Sequence, residues 1–593
     1  MKNVARYCGF ALLCLVATIC IQALSWSTHG IAAGFNQNSA KPVQQLLSFS
    51  GDVKEAWVTQ FSLGKRLFLS GYPGIVMAID RARNIYVTGS IESATAGYDY
   101  ITLKFTAEGV LEWSARYDGP AHRDDWALAN AVDDAGNVYV TGTSMESRTG
   151  YNASDCATVK YNASGVMQWA ASYNAPGISG DIAEDLTLDG LGNVCITGSS
   201  VIYDSLRHTP KEEDYLTIKY NASGAEQWVV KHNGGANLFD YAFKVAVDAT
   251  GNIYVAGETD YNYFIQGITQ KVFYTTVKYN AEGVQQWVVN TNQHNSAGGP
   301  LTGFVLDGQN NVYLAGAKMG INLQADFLTI KYNGDGVEQW RASYASPDNK
   351  SDYITDLAVD GSGNVYVTGS SGKLSDNAFV TIKYNSSGVE QWHTRYRGSG
   401  NLNDNPSAVV VDGSGGVYVT GSSFIWSSTT GTNYATVKYT TDGVEEWVAL
   451  YTSPQKTDYI ATGLVVDDRG RVYVTGRTNE SQGSFATTIK YIQNPVSVEE
   501  KKPAQPSTCW LAQSYPNPFN PVTKIRYSLP SAQDVTLKVY DLHGKEIATL
   551  VNARQAAGEH SLNFDASRFA SGVYFYKLTA GAFNETKKML FVK

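Results

Sequence analysis

The sequence predicts an all-β chain: an eight-bladed β-propeller of four-stranded blades, followed by a small Ig-like β-sandwich. Three observations carry this. The element Val-Tyr-Val-Thr-Gly, or a near variant, starts at Ile85, Val138, Val194, Ile253, Val312, Val365, Val417 and Val472, at intervals of 53, 56, 59, 59, 53, 52 and 55 residues. A self-similar period of about fifty residues marks a propeller, solenoid or array. A Thr-x-Lys-Tyr strand, once with Phe, ends at Phe105, Tyr161, Tyr220, Tyr279, Tyr332, Tyr384, Tyr439 and Tyr491. Beyond residues 493–510, where Pro495, Pro503 and Pro506 flank Glu499–Lys502, the repeat is gone and a different pattern begins.

The chain opens with Lys2 and Arg6 before an apolar run from Gly9 to Leu24, the layout of a secretory signal. Residues 1–25 are its expected extent, with Ala33 a later cleavage possibility and residues 26–51 an N-terminal segment. A retained anchor is the alternative, although the run is short for a span. No transmembrane span is expected in the mature chain. Cys20 follows Ile19 rather than a small residue, which argues against lipidation. Of the cysteines after this segment, Cys156 and Cys195 sit on strands and read as buried hydrophobes; with Cys509 they form neither a disulfide framework nor a metal cluster.

Each repeat resolves into four strands. In residues 165–220 these are Gln168–Tyr173, Glu184–Asp189, Asn193–Gly198 and Tyr215–Tyr220. Asp189–Asn193 is a tight hairpin whose Gly192 supplies positive φ. Counting decides the architecture. Tryptophan strands follow seven of the eight Lys-Tyr strands, at Trp113, Trp169, Trp228, Trp287, Trp340, Trp392 and Trp447. The last repeat ends at Tyr491 without one, while Glu55–Phe61, with Trp57, precedes the first repeat unpartnered. Ring closure satisfies both ends, whereas an open solenoid exposes two sheet edges. The propeller is therefore expected over residues 52–492.

The pattern Ala-Val-Asp-x-x-Gly-Asn-Val-Tyr-Val-Thr-Gly resembles the bacterial SBBP-type β-propeller repeat. The resemblance implies that the Ala-Val-Asp strand is innermost and the tryptophan strand outermost, and it supplies no catalytic residues. After the 493–510 linker, short alternating strands are expected at Thr523–Ser528, Val535–Asp541, Glu546–Leu550, Gly558–Phe564, Gly572–Thr579 and Thr586–Val592, the pattern of a β-sandwich. Tyr515–Pro521, Leu537–Lys545, Ser571–Lys577 and Lys587–Lys593 resemble the type A C-terminal sorting domain of the type IX secretion system. For residues 511–593 this implies a Bacteroidetes-like envelope, engagement with the type IX machinery and its sortase, export across the outer membrane, and removal of the domain there. The mature protein is then extracellular or attached to the cell surface.

Composition and motifs narrow the classes. A net charge of −9 argues against a nucleic-acid protein, which needs a basic face. There is no Gly-x-Ser-x-Gly elbow, His-Glu-x-x-His motif or P-loop. Asp80, Asp133, Asp189, Asp248, Asp307, Asp360, Asp412 and Asp467 end the second strand of their repeats and suit Asx-turns. Strand lysines such as Lys219 and Lys331 are architectural too, with Glu226, Glu338, Glu390 and Glu445 as candidate partners across the hairpin.

A second set, Asp125, Asp181, Asp240, Asp352, Asp404 and Asp458, stands eight or nine residues before the turn aspartate, where the chain enters the innermost strand. Converging at the channel mouth, they would hold a hard cation such as calcium. Alternatively, each caps its own inter-blade loop. Blades one and five carry Tyr72 and Gly299 there, so any ring is broken. The insertions Ser199–Asp214 and Glu258–Phe273 are the places for special loops, with Tyr261, Tyr263 and Phe264 able to stack on a sugar or to fill gaps. Two function classes stand: a secreted or cell-surface binding or scaffold propeller with a glycan or protein ligand, and an extracellular glycan- or peptide-active hydrolase or lyase with its site at the channel mouth. Regular repeats favour the first: enzymes usually break repeat symmetry where the site lies, and the deviations here are modest.

Overall fold

A computed structural model describes residues 48–50, 53–64, 74–493 and 508–593, apart from 94–96, 147–153, 177–178, 204–209, 235–238, 262–272, 292–296, 320–323, 348–349, 373–376, 399–402, 426–430, 453–457, 481–482 and 515–516. The expected signal segment lies outside the described residues. The chain divides into two compact units at Gln493/Asn494. Among the described residues there is no helix long and apolar enough to cross a membrane.

The first unit is an eight-bladed propeller. Blade 2 shows the plan: Asp125–Val132 innermost, then Val138–Met145, Ser154–Tyr161 and Met167–Tyr173, all antiparallel. The middle strands are buried on both faces because neighbouring blades cover them, which is why they read as continuous apolar runs. Each innermost strand packs on that of the next blade, and that of blade 8 (Tyr459–Val466) packs on that of blade 1 (Val76–Ile79). Closure uses the orphan tryptophan strand: Val53–Gly64 pairs with Gly483–Gln493, placing Glu55 opposite Tyr491 and Trp57 opposite Lys490. Two features exceed the repeat. Ser48–Ser50 adds a fifth strand to blade 7, along Val448–Leu450. A parallel bridge from Glu213 to Phe239 joins blades 3 and 4.

The recurring residues explain the seams. Trp57, Trp113, Trp169, Trp228, Trp287, Trp340 and Trp392 each donate Nε1–H to a carbonyl in a hairpin of the next blade, at 2.9–3.2 Å. Trp57 bonds Ala107 of blade 1, so the seam runs through the closure as well. In each receiving turn a glycine lies flat against the indole. A Cβ on Gly109 (φ +82°) would sit 2.6 Å from Trp57, and one on Gly224 (φ +85°) 2.6 Å from Trp169. The strand lysines use the same carbonyls: Lys104, Lys160 and Lys278 donate to Ala163, Ala222 and Gly334. Several also lie over a tyrosine ring, as Lys160 does 4.9 Å from the centre of Tyr139.

The expected glutamate partners stand elsewhere. A bulge shifts the hairpin register, so Glu226, Glu338, Glu390 and Glu445 face Tyr220, Tyr332, Tyr384 and Tyr439, while the lysines face tryptophans. The turn aspartates act as Asx-turns. Asp189 Oδ1 accepts from Leu191 N and Asn193 N, both at 2.9 Å, and Oδ2 from Asn193 Nδ2 at 2.7 Å. In the other seven blades a tyrosine hydroxyl also donates to Oδ2. Cys195 replaces that tyrosine in blade 3, and Lys219 Nζ takes its place 3.2 Å from Asp189 Oδ2. Cys156, Cys195 and Cys509 are free thiols, the first two buried.

The second unit is a two-sheet sandwich. Trp510–Leu511, Val522–Leu529 and Gly558–Asp565 form one sheet; Glu546–Gln555, Gln533–Tyr540, Gly572–Ala580 and Phe583–Phe591 form the other. Alternation sets the inward face, with Ile525, Tyr527, Leu537, Val539, Tyr576, Leu578, Met589 and Phe591 at its core.

Candidate functional site

Five of the six loop-entry aspartates are structural caps. Asp125, Asp181, Asp240, Asp352 and Asp404 are 0–1% exposed. Each accepts the backbone N–H six residues earlier, from Gly119, Ala175, Gly234, Ser346 and Gly398, at 2.6–2.7 Å. Burial raises the pKa of Asp125, Asp181, Asp352 and Asp404, that of Asp125 to about 6. Hydrogen bonds from these N–H groups and from Ser144, Ser200, Ser371 and Ser423 act in the opposite direction. Asp458 departs from the set and is exposed. It stands nine residues before Asp467, so Tyr459 takes the ladder position opposite Thr478, as Asp125 does opposite Ser144.

Of the six, Asp125 alone joins a carboxylate cluster among the described residues: Asp99, Asp118 and Asp125 bring one oxygen each within 4.8 Å of the others. Asp99 Oδ1 and Asp125 Oδ1 are buried with no hydrogen-bond partner, which suits a cation ligand. Two competitors already occupy the group. Arg116 Nε donates to Asp99 Oδ2, and His122 Nδ1 lies 2.8 Å from Asp118 Oδ2.

The innermost strands hold what the sequence reading missed. In blades 2, 3, 4, 6, 7 and 8 this strand carries a bulge, whose extra residue is Leu128, Glu184, Phe243, Thr355, Ser407 or Thr462. Several positions here staple one blade to the next. Ser407 Oγ donates to Ala461 O at 2.7 Å and Thr462 Oγ1 to Ile75 O at 2.6 Å. Asp185 and Asp356, one residue after the bulge, accept Val245 N and Val409 N at 3.0 and 2.8 Å. Glu184 and Lys244 make no such staple and no hydrogen bond or close ion pair among the described residues. Burial raises the pKa of Glu184, Asp185 and Asp356, the last to about 6, and the Lys244 charge opposes the rise in all three. Charges at this depth carry a desolvation cost that the hydroxyl and small residues of other blades avoid.

Glu184 also borders a cleft of about 320 Å³ between blades 2 and 3, on the face where the chain enters the innermost strands. Trp126 and Leu128 form one wall, Ile182 and Tyr203 the other, with Met145 between. Trp126 is braced by Tyr98, ring centres 4.5 Å apart. Tyr203 and Val201 come from the insertion Ser199–Asp214, which lengthens the second strand of blade 3 to Tyr203. In the other insertion, the side chains of Tyr261, Tyr263 and Phe264 lie outside the described residues.

Comparison with known proteins locates both parts of the chain. Residues 513–593 match the family described as secretion system C-terminal sorting domain. Residues 347–373 and 446–481 match the β-propeller repeat family SBBP. No curated protein matches the chain. Among solved structures, PorZ, an essential surface component of the type IX secretion system of Porphyromonas gingivalis, is 11% identical, with 88% of this chain and 82% of that one covered and a TM-score of 0.29. Polysaccharide lyase Uly1 is 11% identical over 68% of this chain and 99% of that one, at a TM-score of 0.37. At these values neither likeness bears on ligand or activity. The family matches and the sheet order together make the chain an SBBP-repeat β-propeller with a type IX C-terminal sorting domain, exported across the outer membrane to the cell surface or the extracellular space.

Proposed function

We propose that the exported propeller is a binding module that captures an extracellular ligand in the cleft between blades 2 and 3. One observation carries this reading. In a ring whose blades repeat closely, aromatic walls, an insertion and an unstapled carboxylate coincide, among the described residues, between blades 2 and 3, bordering a cleft of about 320 Å³. That volume lies at the small end of ligand sites. The sorting domain, residues 511–593, engages the type IX machinery and its sortase and is removed on export; residues 1–25 direct passage of the inner membrane. The test is to present the mature protein to glycan and peptide arrays, beside Trp126→Ala and Tyr203→Ala variants of matched melting temperature. Ligands retained by the parent and lost by both variants are expected. Equal retention by all three proteins would remove the cleft from consideration, and turnover of a captured glycan or peptide would move the protein to the enzyme class.

A further inference from the structure

We infer that the cleft between blades 2 and 3 takes a basic side chain, lysine or arginine, from a polypeptide partner, with its cationic head at Glu184. The inference rests on the cleft being the binding site proposed above and names the chemistry it selects.

The walls of the cleft are mostly apolar. Leu128, Met145 and Ile182 offer hydrocarbon, and Trp126 and Tyr203 offer aromatic surface. A sugar ring needs several hydrogen-bonding groups directed at its hydroxyls, and this lining is mostly apolar. A lysine or arginine instead presents an aliphatic stem that packs on apolar surface and a charged head that seeks an acid or an aromatic face. Glu184 supplies the acid. Among the described residues its carboxylate has no hydrogen-bond donor, and it occupies a bulge position where Thr462 and Ser407 staple neighbouring blades.

The surroundings have the same sign. Asp155, beside the lining residue Ser154, is in hydrogen-bond contact with Glu146 and feels the charge of Asp181. Glu213 feels the charge of Glu184. Two cations offset part of this. Lys231 is tied to Ser200 Oγ at 2.8 Å and its charge acts on Asp181, while that of Lys244 is shared among Glu184, Asp185 and Asp356. Burial raises the pKa of Glu184 and takes Asp155 and Glu213 to about 7, so a cation entering the cleft is favoured by holding these carboxylates ionised.

The test uses the mature protein and four probes: the N-acetyl amides of lysine, arginine and norleucine, and cellotetraose. Saturation-transfer NMR reads which protons touch the protein, and titration gives affinity. Expected is a millimolar interaction with a preference of about tenfold for the lysine or arginine amide over norleucine. That preference should disappear in Glu184→Gln at unchanged melting temperature. If Glu184→Gln does not fold, salt supplies the second reading: the preference should shrink with added NaCl while norleucine binding stays level. Equal binding of the three amides would overturn the inference. So would cellotetraose binding that Trp126→Ala removes, although the cleft would then stand as the binding site. Failure of all four probes on the parent protein would overturn the basic-side-chain assignment, and the array experiment would decide separately whether the cleft binds anything.

Discussion

The closure of the ring can be tested at one glycine. Gly109 lies in the blade 1 hairpin that receives Trp57, at φ +82°, and a Cβ there would stand 2.6 Å from the indole. In Gly109→Ala the left-handed backbone alone costs about 1–2 kcal/mol. The indole must also move away, which breaks the 3.2 Å bond from Trp57 Nε1 to Ala107 O. That adds about 1 kcal/mol for a hydrogen bond of this kind. With lost packing, the expected cost is about 2–4 kcal/mol, a large part of an ordinary domain stability of about 5–15 kcal/mol. Gly224→Ala, against Trp169 within a continuous stretch of chain, has matching geometry and should cost the same. The informative arm is a double-mutant cycle with Trp57→Ala. In that background Gly109→Ala should retain only the backbone strain, so a coupling of about 1–2 kcal/mol is expected between the sites. Calorimetry and denaturant titration on the mature chain provide the readout, following the transition that Gly224→Ala also shifts. Equal cost of Gly109→Ala with and without Trp57 would show that the first strand does not seat on blade 8 in solution.

Burial raises the folded-state pKa of Asp125 and Asp356 to about 6, and of Glu213 and Glu258 to about 7, above their unfolded values. The native state then binds protons that the unfolded chain releases, so this contribution is present at low pH and lost as pH rises through about 6 to 7. The propeller is expected to melt higher at pH 5.5 than at pH 8; a level or rising profile would contradict it. The turn aspartates with lowered values, such as Asp248 and Asp360, act in the opposite direction only at the acid end, as pH falls through their folded values. Asp352→Ala should cost about 1–3 kcal/mol by leaving the N–H of Ser346 unpaired under its loop. Any calcium-dependent rise in melting temperature should vanish in Asp118→Asn and survive Asp352→Asn; loss in the latter would restore a shared site among the loop-entry aspartates. Truncation after Gln505 should leave a folded propeller in the periplasm, and its appearance at the cell surface would contradict export through residues 511–593.

What the sequence made legible was whatever the fold repeats. Eight near-copies of one strand fixed the blade count, and the unpaired Trp57 fixed the closure, because a missing partner shows against a periodic background. The turn aspartates were readable because an Asx-turn is a local hydrogen-bonding problem, solved within five residues as at Asp189–Asn193. The loop-entry aspartates exposed the limit. Spacing placed them on one face, but whether they meet or each cap a loop depends on side-chain direction and on the serine across the ladder, which spacing does not encode. At Asp458 the offset of one residue was visible, and a strand's period of two makes one residue enough to change the role.

The missed residues share a cause. Glu184 and Lys244 lie in ordinary innermost strands, and in a single repeat a charged strand residue reads as solvent-facing. Only superposing the repeats shows them standing where other blades carry Thr462, Ser407, Gly463 and Ala408. Their environment is non-local as well: Lys244 of blade 4 influences Glu184 and Asp185 of blade 3 and Asp356 of blade 6, an arrangement that exists only once the ring has closed. This places the site's dependence on closure within reach of experiment. Loss of Trp57 weakens the seam between blades 8 and 1, two blades away from the cleft. If the innermost strands transmit strain around the ring, Trp57→Ala should weaken capture at the cleft as well as lower the melting temperature. If each blade pair is autonomous, capture should be unchanged wherever the variant remains folded. The staples from Ser407 to Ala461 and from Thr462 to Ile75 tie consecutive blades at the lumen and favour the first outcome.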